Sequence, residues 1–161
     1  MSAGGEPKRE VDDVTESAGG KPVRRSVSIA IGRAENPGEV LIVRRPSDDA
    51  ELPNLWGLPA ATLRAGEDWE DAARRSASGK LGVRIEVQRE LHRGRIERQD
   101  YVLEMRLMRA RITEGTPAVP QADPEVTQYS DWRWGRTEDL VPAAEKGSLC
   151  SRLYIASGQG K

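Results

Sequence analysis

Several residue types are scarce in this chain of 161 residues. It contains no phenylalanine, a single cysteine (Cys150) and a single histidine (His92). One cysteine cannot form an internal disulfide, and this pair cannot supply the usual ligands of a structural zinc ion. No segment approaches the roughly 20 apolar residues that a membrane span needs. The polar N-terminus also has no secretory core, so we expect a cytoplasmic protein without membrane association.

Net charge is also small, at −1, so the chain has no broad basic field and gives no strong nucleic-acid signal. Charged residues make up 32% and hydrophobic residues 37% of the sequence, which is typical of a soluble globular protein. A chain of this length buries one adequate core, so we expect a single domain. Its partners must therefore be inferred from a site.

The chain divides into a tail and one patterned region. Residues 1–25 contain glycine pairs and scattered charges, which predicts a flexible N-terminal tail. Residues 26–156 form the predicted domain, and residues 157–161 a short C-terminal tail. Within the domain, residues 26–31 alternate like a half-buried strand and residues 40–43 form a second apolar run. A turn at residues 35–38 predicts that these two strands form a hairpin.

A helix is predicted over residues 69–81. Asp68 is a suitable N-cap with Asp71 three residues later, and Gly82 stands where a helix often ends with positive φ. Further strands are predicted at residues 55–59, 83–87, 91–95, 101–111 and 132–134, a loop at 113–128, a short helical turn at 137–140 and a closing helix at 148–156. This order predicts an α/β class fold, an α+β sandwich with a mixed sheet.

The motifs around this helix are distinctive. VLIVRR is followed by LWGLP, a Gly-Glu turn and a capped helix that ends in Leu-Gly-Val. This order resembles the Nudix (MutT-like) hydrolase family, whose signature is Gly, five residues, Glu, seven residues and Arg-Glu-apolar-x-Glu-Glu-x-Gly-apolar. Placed on residues 61–83, the signature matches at Glu67, Arg75, Gly82 and Val83. The resemblance implies a Nudix fold, with a mixed central sheet flanked by the Nudix helix and a C-terminal helix.

The remaining signature positions differ. Ala61 replaces the first glycine, and Ser76, Gly79 and Lys80 replace the three helix glutamates. The resemblance implies cleavage of nucleoside diphosphate-linked compounds with Mg²⁺, an ion that prefers carboxylate, phosphate and water oxygens. A hydroxyl, a hydrogen and an ammonium do not supply such ligands, and the ammonium repels a divalent cation. This degenerate Nudix box predicts weak or absent Mg²⁺-dependent hydrolysis.

Two signature residues and two other acids keep an active enzyme open as an alternative. Glu67 and Arg75 are the candidate catalytic residues. Glu67, Asp71 and Glu104 are the candidate metal ligands if the protein is active and uses Mg²⁺. The structural alternatives are that Asp71 pairs with Arg75 along the helix and that Glu104 is a surface acid between arginines.

Positive and aromatic side chains suggest a ligand site. Arg75 and Lys80 could bind a diphosphate directly, whereas the alternative places Lys80 on a solvated helix face. The resemblance further implies ligand contacts from four residues: Arg44 and Arg45 to phosphate, and Asp131 and Trp134 to a nucleobase.

Three functions remain open from the sequence. The first is a protein that binds a nucleotide-like small molecule with weak or no hydrolysis and no cofactor. The second is an active hydrolase with non-standard acidic ligands and Mg²⁺. The third is a non-enzymatic module that binds RNA or a protein partner, a second copy in a homodimer included. Cys150 is predicted to be a buried structural thiol.

Overall fold

The computed structural model describes residues 17–18, 20–123 and 126–159. The described strands are β1 (Ser17–Ala18), β2 (Lys21–Gly32), β3 (Val40–Arg44), β4 (Trp56–Gly57), β5 (Ala60–Thr62), β6 (Arg84–Glu97), β7 (Val102–Glu114) and β8 (Asp131–Gly135). The helices are α1 (Trp69–Leu81), α2 (Val141–Glu145) and α3 (Leu149–Ser157), and a 3-10 helix at Thr137–Leu140 precedes α2.

The strands form two sheets. The larger sheet has the order β1-β2-β7-β6, and β5 pairs with β2. Strands β2 and β7 are parallel, while the other pairs of this sheet are antiparallel. The smaller sheet, β4-β3-β8, is antiparallel. The mixed sheet and the flanking helices confirm the predicted α+β fold.

The predicted hairpin between residues 26–31 and 40–43 is wrong. Strand β2 pairs with β7 along one edge and with β5 along the other, so no edge remains for β3. The turn at residues 35–38 instead connects the two sheets. The half-buried pattern is also wrong, because Ser26 and Ser28 are 7% and 0% exposed and their small side chains lie inside the core.

Strand β2 also begins earlier than the sequence predicts. The sequence pattern places residues 21–25 in the tail, but Val23 is 1% exposed and is the parallel partner of Val102. The ladder with β7 therefore extends the domain to Lys21. Residues 1–16 and 19 of the predicted tail, and residues 160–161, lie outside the described residues.

Helix α1 has the predicted bounds. The Asp68 carboxylate accepts a hydrogen bond from the Asp71 N–H at 2.7 Å, and Gly82 has a φ of 73°. The inner face carries Ala72, Ala73 and Ala77, all fully buried. Because these side chains are small, the helix packs closely against β2, β5 and β6.

The core has two parts, one on each side of the larger sheet. The α1 side contains Ile29, Ile31 and Leu81, and the α3 side contains Leu107 and Leu153. Replacing one such leucine or isoleucine with alanine costs about 2–5 kcal/mol of stability. Within the described residues, no helix has the length and apolar character needed to cross a membrane.

Candidate functional site

A lysine connects the C-terminal half of α1 to β5. Lys80 is only 9% exposed, and its Nζ donates a hydrogen bond to the backbone carbonyl oxygen of Ala60 at 2.6 Å. The Ser76 hydroxyl donates to the same carbonyl at 3.5 Å. The prediction that Lys80 lies on a solvated helix face is therefore wrong, because its ammonium is held against the sheet.

A tyrosine completes this arrangement. The Tyr129 hydroxyl accepts a hydrogen bond from the Ala60 N–H at 3.1 Å, and its ring centroid lies 5.3 Å from the Lys80 Nζ. We refer to Ala60, Ser76, Lys80 and Tyr129 as the Lys80 cluster. The cluster joins α1, β5 and the segment before β8 through the backbone N–H and the backbone carbonyl of one residue, Ala60.

The ammonium of the Lys80 cluster has no acidic partner. Among the described residues, no carboxylate lies within ion-pair distance of Lys80. Burying a charge is costly unless polar groups compensate for the lost water. Here the Ala60 carbonyl dipole and the face of the Tyr129 ring provide that compensation. The site keeps a fixed positive charge.

The loop before β8 covers the next signature position. The Gln128 side-chain amide donates to the Gly79 carbonyl at 3.2 Å, and the Ala118 N–H donates to the Leu81 carbonyl at 3.0 Å. A Cβ on Gly79 would lie 3.4 Å from the Asp123 Oδ2 and 3.9 Å from the Val126 Cγ2. A methyl group would fit in ordinary contact, whereas a glutamate side chain would require the loop to move.

The residues at the three signature positions do not fit Mg²⁺. They offer a hydroxyl that contacts the Ala60 carbonyl, a glycine without a side chain and an ammonium. Magnesium needs near-octahedral oxygen ligands, and a positive charge at the site opposes its binding. In the parts of the chain that the structure describes, no three His, Cys, Asp or Glu residues lie together so that they could hold a metal ion.

At the other end of the helix region, the signature pair is retained. Arg75 donates from Nε and Nη2 to the two Glu67 carboxylate oxygens, both at 2.9 Å, and from Nη2 to the Thr62 carbonyl at 2.9 Å. The Arg64 N–H also donates to Glu67 at 3.0 Å. Burial opposes ionisation of Glu67, but the hydrogen bonds from Arg75 and Arg64 outweigh it, so the pKa of Glu67 is lowered.

This pair changes the role predicted for Asp71. Asp71 bonds to Arg74 at 2.9 Å, and Glu70 bonds to the same guanidinium at 3.0 Å. The predicted pairing of Asp71 with Arg75 is wrong, because the Arg75 guanidinium is already held by Glu67. Asp71 lies on the exposed side of the first helical turn.

The third candidate acid, Glu104, lies on β7. Its two oxygens are 3.1 Å from the Arg25 Nε and 3.6 Å from an Arg95 nitrogen. This arrangement agrees with the alternative from the sequence, in which Glu104 is an acid between arginines. Each of the three candidate metal ligands thus has an arginine partner of its own, and the structure shows no common metal site for them.

The predicted phosphate and base contacts lie mainly on the smaller sheet. Arg44 and Asp131 are direct neighbours on β3 and β8. The Arg44 Nε donates to the Asn54 carbonyl at 3.2 Å, and Arg45 pairs with Asp49 at 3.1 Å. The structure therefore brings Arg44 and Asp131 together, while Lys80 belongs to a different sheet interface.

The tryptophans of β8 pack with cations and with each other. Trp134 has the Arg33 guanidinium 4.5 Å from its ring centroid, and Trp132 meets it edge-on with centroids 6.2 Å apart. Both are partly buried against the core on the α1 side. Trp56 packs beside Arg133 at 4.7 Å. The Trp134 ring is thus already covered by Arg33.

Sequence reasoning missed Ala60 and Tyr129. Ala60 takes part through its backbone alone, so its side chain carries no signal. Tyr129 directly follows the predicted loop. Its hydroxyl is the signal that could have suggested a buried hydrogen bond, because a buried tyrosine usually pairs this group. Cys150 is 7% exposed and 3.3 Å from the Ser148 hydroxyl, which confirms the buried thiol.

A family model described as the NUDIX domain matches residues 22–154. The chain belongs to the Nudix family. It has no significant match among curated protein sequences. Glu67, Arg75, Gly82 and Val83 match the family signature, whereas Ser76, Gly79 and Lys80 stand at its three helix glutamate positions.

Solved structures share the fold at low sequence identity. A MutT Nudix hydrolase from Burkholderia pseudomallei is 22% identical, with a TM-score of 0.65 over 86% of this chain and 98% of that one. A MutT protein from Methanosarcina mazei is 15% identical, with a TM-score of 0.61 over 78% and 85% of the two chains. An ADP-ribose pyrophosphatase from Streptococcus suis is 16% identical, with a TM-score of 0.55 over 80% and 90%.

Proposed function

We propose that this chain is a Nudix domain that binds a nucleotide-like small molecule containing a diphosphate and has weak or absent Mg²⁺-dependent hydrolysis. The observation that carries this proposal is the position of Lys80. Its ammonium stands at a signature glutamate position and bonds to the Ala60 carbonyl at 2.6 Å. A fixed cation there takes the electrostatic role that a bound metal has in hydrolases of this family.

The loss of hydrolysis is supported by three features of α1 that act together. Lys80 repels a divalent cation, Ser76 contacts a carbonyl, and a long acid at Gly79 would require the neighbouring loop to move. Metal-assisted attack of water on phosphorus needs a metal that orients the water and shields the phosphate charge. The three candidate metal ligands, Glu67, Asp71 and Glu104, pair with arginines instead.

Ligand binding is supported by charge and by family membership. An ammonium has three N–H donors, and only one is needed for the Ala60 carbonyl, so phosphate oxygens can accept from the others. Arg44 lies at the end of β3 as a second cation. Members of the family bind nucleotide-linked substrates, and one structural neighbour is described as an ADP-ribose pyrophosphatase.

The test combines turnover with binding. ADP-ribose, nucleoside diphosphate sugars, dinucleoside polyphosphates and oxidised nucleotides are incubated with the protein and Mg²⁺ or Mn²⁺, and their binding is measured in EDTA by thermal stabilisation. We expect binding of at least one compound in EDTA, with little or no turnover. Binding that strictly needs Mg²⁺ would contradict the proposal.

Three variants distinguish the alternatives. Lys80→Met should weaken binding in EDTA, while Arg84→Met, at an exposed arginine outside the cluster, should not. Turnover that is lost in Glu67→Gln would instead support a hydrolase with non-standard ligands. No binding or turnover together with a co-purifying partner would support an interaction module.

A further inference from the structure

A crevice lined by arginines lies at the end of β2. Its volume is ≈ 220 Å³, and its lining includes Gly32, Arg33, Gln88, Arg109 and Arg111. We refer to it as the arginine crevice. It is formed by the turn after β2 and by neighbouring residues of β6 and β7, and it includes no residue of the Lys80 cluster.

Arg109 is the central cation of the crevice. Its Nη1 donates to the Gln159 Oε1 at 3.1 Å, beyond the end of α3. Within the described residues, no carboxylate lies within ion-pair distance of this guanidinium. Its Nη2 would be 3.0 Å from a Cβ on Gly32, so the missing side chain at that position makes room for it. The half-buried guanidinium retains N–H donors without an acceptor of opposite charge.

A second arginine, which is not a lining residue of the crevice, stands directly opposite Arg109 in the sheet. Arg89 of β6 is its cross-strand partner in the ladder with β7. Like charges in directly opposed positions destabilise a sheet. No described carboxylate lies within ion-pair distance of either guanidinium, so an anion from solution would relieve this repulsion.

The other two arginines of the crevice lining pair with glutamates that lie outside the crevice. Arg33 pairs with Glu39, and Arg111 pairs with Glu86 at 2.6 Å. Neither glutamate belongs to the lining. Their pairing fixes the guanidinium groups, and the crevice itself presents positive charge without a lining acid.

A strand irregularity places an amide in the same crevice. The register between β6 and β7 shifts between Val87 and Arg89, so Gln88 has no partner in the ladder. An unpaired bulge residue turns away from the regular side-chain alternation, and bulges often direct a side chain toward a site. Gln88 lines the crevice and adds an uncharged N–H donor.

We propose that the arginine crevice binds a phosphate-type oxyanion, at a second ligand site separate from the Lys80 cluster. Planar guanidinium groups donate paired hydrogen bonds that match phosphate oxygens. The ligand is either free phosphate or pyrophosphate, or the phosphate groups of a nucleotide. The site does not depend on the proposed function, because it involves neither α1 nor a metal.

The test is calorimetric titration of the full chain with inorganic phosphate, pyrophosphate and ADP. Arg109→Gln should weaken pyrophosphate binding by about tenfold or more, because it removes the unpaired charged donor. Gly32→Ala should also weaken it, since the added Cβ crowds the Arg109 Nη2. Equal affinities for pyrophosphate and ADP would identify the phosphate groups as the recognised chemistry, and tighter ADP binding would identify a nucleotide as the source.

A matched pair of carboxylate variants separates the crevice from general surface charge. Glu86→Gln releases Arg111 and should tighten pyrophosphate binding several-fold. Glu114→Gln releases the exposed Arg84, which does not line the crevice, and should leave the affinity unchanged. Circular dichroism and thermal unfolding verify that each variant is folded.

Three results would overturn the proposal. They are the absence of saturable pyrophosphate binding, an unchanged affinity in folded Arg109→Gln and Gly32→Ala, and equal effects of Glu86→Gln and Glu114→Gln. Binding that is lost in Lys80→Met but kept in Arg109→Gln would assign the anion to the Lys80 cluster and would also contradict the crevice. If only the binding expected at the Lys80 cluster fails, the proposed function is contradicted and the crevice proposal remains supported.

Discussion

The two ends of helix α1 differ in how closely their residues match the family signature. At the N-terminal end, Asp68 caps the helix, and the signature residues Glu67 and Arg75 form a bidentate pair. At the C-terminal end, Lys80 and Ser76 bind a backbone carbonyl, and a loop covers Gly79. One end therefore has residues that match the family signature, and the other has Ser76, Gly79 and Lys80 where the signature has glutamates.

At both ends, α1 is held by contacts among groups of the protein itself. The Glu67 pair ties the loop before α1 to the helix through side-chain and backbone hydrogen bonds alone. The Lys80 cluster ties the far end to β5 through an ammonium. In this chain these hydrogen bonds fix the position of α1 at both ends.

The largest change is expected from reversing the charge of Lys80. Lys80→Glu would place a carboxylate against the Ala60 carbonyl oxygen and should reduce the free energy of unfolding by about 3–5 kcal/mol, as for an uncompensated buried charge. Denaturant unfolding measures this loss. Lys80→Met is the control and should cost less, about 1–3 kcal/mol. A Lys80→Glu protein as stable as the wild type would show that the ammonium does not hold the helix to β5.

A smaller and pH-dependent change is expected at the other end. Glu67→Gln removes charge-assisted hydrogen bonds and should reduce stability by about 1.5–3 kcal/mol at neutral pH. Because the pKa of Glu67 is lowered in the folded state, its contribution is present above the ordinary pKa of 4.5 and is lost as pH falls through the lowered value.

The measurement is the difference in unfolding free energy between wild type and Glu67→Gln across this pH range. The difference should be full above pH 4.5 and should shrink at lower pH. A constant difference at all pH values would contradict the role of the ionised pair.

The loop contact at Gly79 gives an effect that changes sign with side-chain size. Gly79→Ala should stabilise the protein by about 1 kcal/mol through helix propensity, since a methyl group meets the loop at ordinary contact distance. Gly79→Leu should destabilise it by about 1–3 kcal/mol, because the longer side chain displaces the loop. Thermal unfolding of both variants tests this, and equal stability of the two would argue against a closely packed loop.

The smallest change is expected at the helix cap. Asp68→Ala removes the acceptor for the Asp71 N–H and should cost about 1 kcal/mol. Glu70→Ala removes only an exposed pair with Arg74 and should cost about 0.3–0.5 kcal/mol. Chemical denaturation compares the two, and a larger loss in Glu70→Ala would contradict the assigned cap.

The local signals in the sequence predict α1 well. Asp68 and Gly82 mark its ends because caps satisfy backbone groups at fixed positions, and these needs are local. The pairing partners of the strands are harder to predict from the sequence. Residues 26–31 contain two serines that suggest a solvent face, yet tertiary packing covers both sides of β2. The hairpin was wrong for the same reason, because pairing depends on distant strands.

The candidate site is less predictable than the fold. The sequence shows that Lys80 replaces a glutamate, but not that its ammonium meets the Ala60 backbone. The partner of Asp71 was misassigned because helix spacing ignores Glu67, which lies outside the helix. Contacts made by backbone atoms and by residues distant in sequence leave no local pattern.

Direct Mn²⁺ binding tests the central claim most simply. Electron paramagnetic resonance measures free Mn²⁺ during titration with the protein, and Mn²⁺ substitutes for Mg²⁺ at oxygen sites. We expect no stoichiometric metal site in the wild type, because Lys80 and the loop exclude one at the signature positions. A single saturable Mn²⁺ site that disappears in Glu67→Gln would contradict this account.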